Sequence, residues 1–133
     1  MALASIGGGY QIGDGNVNEA LLEVQSAPGA TTATSYTFTA ADMANGLFTS
    51  TNASAVTLTL PTVALLEALF VNAKVNSSFD MAIINLGSAS GAATVTTAAG
   101  WTLVGSMAVA ITTSARFRAR KTGDAAWALY RVA

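Results

Sequence analysis

The stretch GDGNVNE, residues 13–19, sets Asp14, Asn16 and Asn18 at alternate positions with Glu19 directly after them, behind the triplet Gly7-Gly8-Gly9. Alternating oxygen side chains are what a Ca²⁺ loop needs, and glycine-flanked backbone is what a phosphate cradle needs. Neither pattern is completed. In an EF-hand frame Asp14, Asn16 and Asn18 take positions 1, 3 and 5, but Glu19 stands where the sharp turn demands glycine. Gln25 stands where a bidentate Glu would close the cage. In a phosphate-loop frame GGGYQIGDG has no lysine, and residues 1–6 offer no strand to precede a dinucleotide turn. No metal and no cofactor are expected.

The second concentration of chemistry is ARFRARK, residues 115–121. At the two-residue period of a strand, Arg116, Arg118 and Arg120 share one face while Phe117 and Ala119 share the other. Such a strip either contacts an anion or an acidic partner, or is a solvated face that discourages edge-to-edge pairing. Both readings stand at this point.

Catalysis has little to draw on. The chain has neither histidine nor cysteine, which removes the commonest general base, thiol nucleophiles, disulfides and thiolate zinc sites together. Its seven carboxylates are scattered, and no G-x-S-x-G elbow occurs. The protein is not expected to be an enzyme.

The elements that would position these residues follow from composition and periodicity. A chain of 133 residues is one domain by length and can bury about two-thirds of its unfolded surface. Only 10% of residues are charged, against about a quarter in a typical domain, while 52% are apolar. Either much of the surface faces protein, or the strands are coated with Thr and Ser. The charge is also uneven. Residues 1–100 hold one cation, Lys74, and six acids, a net of −5; residues 101–133 hold five cations and Asp124, a net of +4. Halves of opposite sign can steer copies onto each other or onto a partner, but five basic residues are too few for a nucleic-acid surface. No signal peptide is expected at the start. The uncharged run 81–115 is broken by Gly, Ser, Thr and Asn, so no transmembrane helix is expected there.

Residues 1–35 read as an extended N-terminal arm with one short apolar patch, ALLEVQ at 20–25, leaving through SAPGATTATS. So little apolar area cannot offset the entropy of ordering, so the arm needs a surface to lie on. Residues 36–133 read as a β domain. SYTFT (35–39), AVTLTL (55–60), FDMAIINL (79–86), ATVTT (93–97), WTLVG (101–105), MAVAITT (107–113), ARFRARK and AWALYRVA (126–133) have strand character. Turn residues punctuate these segments. TAADMANGLF predicts a helical turn capped by Thr39 and ended by Asn45-Gly46. Pro61 opens the main helical stretch, about 61–71, whose stripe is Val63, Leu65, Leu66, Leu69 and Phe70. Trp101, Trp127, Phe117, Tyr130 and Phe79 read as core. The expected fold is mainly β: an antiparallel β-sandwich, jelly-roll-like, or a small barrel, with one short helix and the arm.

YQIGDGNVNEALLEVQSAP, AVTLTLP, VNSSFDMAIINLG and the SARFRARKT…AWALYRV ending resemble, over nearly the whole length, small structural proteins of tailed bacteriophages. The best-supported role in that group is head decoration, or capsid cement. The resemblance implies a homotrimer on the outer surface of the capsid in the virion, bridging major capsid protein subunits, with neither nucleic acid nor membrane as partner. On that reading the arm is the capsid or protomer contact, through Tyr10, Asp14, Asn16, Asn18, Glu19 and Leu22. Arg116, Arg118 and Arg120 would meet an acidic partner. The alternative is a trimeric head- or tail-fibre module binding a host surface glycan through Trp101 or Trp127.

Overall fold

The computed structural model describes residues 22–133. Of the arm residues singled out above, Tyr10, Asp14, Asn16, Asn18 and Glu19 lie outside the described residues, and Leu22 lies within them.

The strands are β1 (Gly29–Thr31), β2 (Ser35–Thr37), β3 (Leu47–Ser50), β4 (Val56–Thr59), β5 (Ser78–Asn85), β6 (Ala93–Thr96), β7 (Trp101–Val104), β8 (Ala108–Val109), β9 (Thr113–Gly123) and β10 (Ala126–Arg131). Two helices, α1 (Ala40–Asn45) and α2 (Val63–Leu69), follow β2 and β4. The strands form a six-stranded sheet, β1-β3-β5-β9-β10-β7, and a four-stranded sheet, β2-β4-β6-β8. From β1 to β9 the chain alternates between the two sheets, so strands adjacent in sequence do not pair. β9 and β10 are the exception, an antiparallel hairpin.

The mainly β class and the two-sheet build are as expected from the pattern, but the pairing is mixed where antiparallel pairing was anticipated. β1 pairs β3, β3 pairs β5, β2 pairs β4, β4 pairs β6, and β7 pairs β10, all in parallel. Side-chain alternation has the same period in either kind of pair, so it carries no information on direction. Gly29–Thr31, within the stretch 1–35 read as arm, is a strand of the six-stranded sheet.

Between the sheets lies one core. Val56, Leu58, Ala93, Val95 and Val109 come from the four-stranded sheet, and Phe48, Met81, Ile83, Phe117 and Leu129 from the six-stranded one. The opposite face of the four-stranded sheet is largely threonine. Ser35, Thr57 and Thr94 align across β2, β4 and β6, as do Thr37, Thr59 and Thr96, and the Thr59 and Thr96 hydroxyls lie 3.0 Å apart. Cross-strand Thr pairs stabilise a sheet without charge, which accounts for part of the low charge content. A second polar row is interior. Thr31, Ser50 and Asn85 align across β1, β3 and β5, all buried. Asn85 donates to the Val109 carbonyl and accepts from the Gly87 N–H, while the Ser50 hydroxyl has no partner among the described residues.

Both helices connect the four-stranded to the six-stranded sheet at the same end, and they touch each other. α1 forms where Thr39 caps it: the Thr39 hydroxyl accepts from Asp42 N–H, and the Asp42 carboxylate accepts from Thr39 N–H, a complete capping box. Gly46 ends it with φ +80, a left-handed turn that costs glycine nothing. α2 is only seven residues long and buries Val63 and Leu66. Leu65 and Leu69, from the same predicted stripe, are exposed. A second helix at 40–45 therefore joins the one expected near 61–71.

Candidate binding surface

β9 runs between β5 and β10 in the six-stranded sheet. Its period-two pattern works as the sequence indicates: Ala115, Phe117 and Ala119 are buried in the core, and Arg116, Arg118 and Arg120 point to the other face. On that face, register sets Arg116 beside Ala82, Arg118 beside Asp80 and Tyr130, and Arg120 beside Ser78 and Ala128. The structure thus brings the three arginines into one row, each with a distinct environment.

Arg118 makes a two-pronged pair with Asp80, Nε to Oδ1 at 2.6 Å and Nη2 to Oδ2 at 3.0 Å. The Arg118 hydrogen bond and charge, with Arg116 adding charge, hold the Asp80 carboxyl below the usual carboxylate range, while the hydrogen bond to Asp80 and its negative charge push the Arg118 guanidinium up. Arg120 donates to Asn76 Oδ1 and to the Tyr130 hydroxyl, both at 2.8 Å, and its guanidinium carbon lies 5.6 Å from the Tyr130 ring centre. Arg116 lines an open groove of about 390 Å³ with Glu23, Gln25, Asn45, Asp80 and Ala82. Leu22 is exposed next to Glu23, where the described chain begins.

The sequence reading did not anticipate a second charged cluster. Lys121 continues β9 on its inner face and is buried. Its ammonium pairs with Glu67 Oε1 of α2, and the Trp127 indole N–H donates to the same oxygen at 3.1 Å. These bonds, Lys121 first, lower the Glu67 pKa against the opposing effect of desolvation. The signal was present in the sequence: period two from Phe117 and Ala119 puts Lys121 on the apolar side, where a cation requires a partner.

Both depressed carboxylates set an acid limb of stability. A carboxyl whose folded pKa lies below its unfolded value stabilises above the unfolded pKa, and the contribution is lost as pH falls through the folded pKa. The melting temperature is therefore expected to hold from neutral down to the ordinary carboxylate range near about pH 4, then to fall. Glu67→Gln combined with Asp80→Asn should flatten that fall. Thermal melts across pH check it, and an unchanged acid limb in the double variant would show that other groups set it.

Of the aromatics read as core, Trp127, Phe117 and Trp101 are buried, with Trp101 donating to the Pro61 carbonyl at 2.7 Å, and Phe79 packs half-buried against the core. Tyr130 is instead half-buried on the arginine face, beside Arg118 and bonded to Arg120. The two indole ring centres lie 6.2 Å apart. A cleft of about 370 Å³ beside Trp127 is lined by Leu69, Phe70, Val71, Ala73 and Phe79, with Asn72, Ser77 and Ser78 supplying polar groups. Among the described residues, no three of His, Cys, Asp or Glu stand together as a metal-ligand set, and no helix is long and apolar enough to cross a membrane. No protein-family model, curated protein or solved structure matches the chain.

Proposed function

We propose that this chain is a structural protein of a tailed-bacteriophage virion, a decoration or cement protein that sits as a trimer on the outside of the head. It acts by contact rather than by catalysis, bridging neighbouring subunits of the major capsid protein. The observation that carries this reading is the run of exposed aliphatic side chains from α2 into the loop before β5. Leu65 is 61% exposed, Leu69 49%, Val71 75% and Val75 54%, beside the aromatic-floored cleft. Clustered aliphatics of this kind mark protein-contact surface, and here they occur in a chain with 10% charged residues. The resemblance of the segments quoted above to phage head proteins gives that surface its proposed partner.

The mechanism follows from mass action. A protein that binds the assembled shell but not loose subunits shifts the equilibrium toward the shell. Repetition across many symmetric sites multiplies a modest contact.

Co-sedimentation with undecorated heads tests this, with oligomeric mass measured by light scattering. Intact protein is expected to be trimeric and to pellet with heads. Leu65→Glu with Val71→Glu, both exposed and tolerant of charge in the folded protein, should abolish trimerisation or head binding while leaving the melting temperature close to that of the parent. A monomer that never pellets with heads would end the decoration reading.

A further inference from the structure

Asn45-Gly46 is the one Asn-Gly pair in the chain, and it stands at the end of α1. That dipeptide carries a reaction of its own. The backbone nitrogen of the second residue attacks the side-chain carboxamide carbon, ammonia leaves, and a succinimide ring closes. Water then opens the ring to aspartate or, through the other carbonyl, to isoaspartate. Glycine in second place shields the attacking nitrogen least, because it has no Cβ.

In the folded chain the groups this reaction needs are already engaged. The nucleophile, Gly46 N–H, donates to the Met43 carbonyl at 3.1 Å and closes the end of the helix. The leaving group, Asn45 Nδ2, donates to the Ala27 carbonyl at 2.9 Å. Asn45 Oδ1 accepts from Gln25 Nε2 at 2.9 Å, and the Asn45 backbone carbonyl accepts from the same nitrogen at 2.9 Å. Swinging the carboxamide onto the Gly46 nitrogen therefore breaks its bonds to residues 25 and 27, and the nitrogen must also leave Met43. Residues 25–27 are exposed, and the Gln25 and Asn45 side chains fasten them to α1.

Either product undoes that fastening. Aspartate still accepts from Gln25 but has no N–H for the Ala27 carbonyl, and it sets a negative charge at a helix C-terminus. Isoaspartate lengthens the main chain by a methylene between α1 and β3, which draws Gly46 N–H away from Met43. The change runs one way, because ammonia is lost.

We propose that Asn45 is a deamidation site held closed by the clasp it forms with residues 25–27, and that its conversion opens the clasp. Site and lock are one side chain. The inference concerns the free protein and stands or falls independently of the head-decoration reading.

The full chain is aged in mildly alkaline buffer, folded or unfolded in urea, and the peptide spanning Asn45-Gly46 is followed by mass spectrometry. The unfolded chain should convert fastest and the folded parent slowest. Gln25→Ala removes the donor to both Asn45 oxygens at an exposed position. It should convert about tenfold faster than the folded parent, the change that two lost hydrogen bonds make in an opening equilibrium. Gln25→Glu, which keeps the side-chain length and removes the donor, should do the same, and thermal melts confirm that both variants are folded. Asn45→Asp stands for the product, and its backbone nitrogen relaxation should show greater motion at residues 25–27 than the parent, with β5 and β9 unchanged. A folded parent that converts as fast as the unfolded chain overturns the proposal. So does parental ageing in both Gln25 variants, or parental relaxation at residues 25–27 in Asn45→Asp.

Discussion

Trp127→Ala is expected to cost about 3–5 kcal/mol and to lower the melting temperature by roughly 10–25 °C. The indole is 2% exposed. Its ring centre lies 5.9 Å from Phe79 and 6.2 Å from Trp101, at the junction of β10, β5 and β7. Removing it opens a void that rigid strands on both sides cannot close, and the cavity term adds to the lost transfer free energy. The substitution also withdraws the N–H bound to Glu67 Oε1, leaving Lys121 to hold that carboxylate alone. Trp127→Phe separates the two effects, because it refills most of the volume and removes the donor; its expected cost is smaller, about 1–2 kcal/mol. Denaturant melts of the three proteins check the order. A ligand platform would behave otherwise: an alanine variant as stable as the parent but deficient in glycan binding would support the fibre alternative over a structural role for this ring.

Much of this architecture is legible in the sequence because burial imposes period two. The segments AVTLTL and FDMAIINL put Val56 and Leu58, and Met81 and Ile83, on the core side as their alternation requires. Thr39 and Gly46 mark the ends of α1 because capping is local chemistry, readable over a few residues. The arginine row is legible for the same reason.

The winding is not legible. A turn signal between two strands says that the chain reverses, but a reversal can lead to the next strand of the same sheet or across to the other sheet. Here it leads across at nearly every turn, and among the described residues only Thr122-Gly123-Asp124 with its flanking strands makes a hairpin. β3 is hidden because Leu47–Ser50 follows Gly46 directly, so the helical pattern of 40–45 absorbs it. β1, GAT, is too short to show alternation, and its pairing to β3 is what orders it. The α2 stripe misleads in part: the sequence groups Leu65 and Leu69 with Val63 and Leu66, but the first two are exposed. Apolar periodicity shows which residues share a helix face and not which of them the rest of the chain covers.

Gly100→Ala is expected to destabilise by about 2–5 kcal/mol, from backbone strain and steric overlap acting together. Trp101 N–H bonds to the Ala98 carbonyl at 3.2 Å, closing a turn in which Gly100 is the third residue with φ +90. That position of a turn requires positive φ, which an alanine adopts only at a cost. Space is also lacking. A Cβ here would lie 2.7 Å from Val63 Cβ and Cγ2 and 2.8 Å from the Ala125 carbonyl oxygen. Both obstacles belong to the structure's main joint. The neighbouring Ala99 carbonyl accepts from Val63 N–H at the start of α2, and the Gly100 carbonyl accepts from Trp127 N–H at the start of β10, each at 3.0 Å. Relief by backbone movement would therefore disturb α2, β7 and β10 at once. Gly123→Ala is the control, since a Cβ at Gly123 meets nothing within 4 Å. Paired urea melts should show a large loss for Gly100→Ala and little change for Gly123→Ala; equal midpoints would show that the turn relaxes without moving α2 or β10.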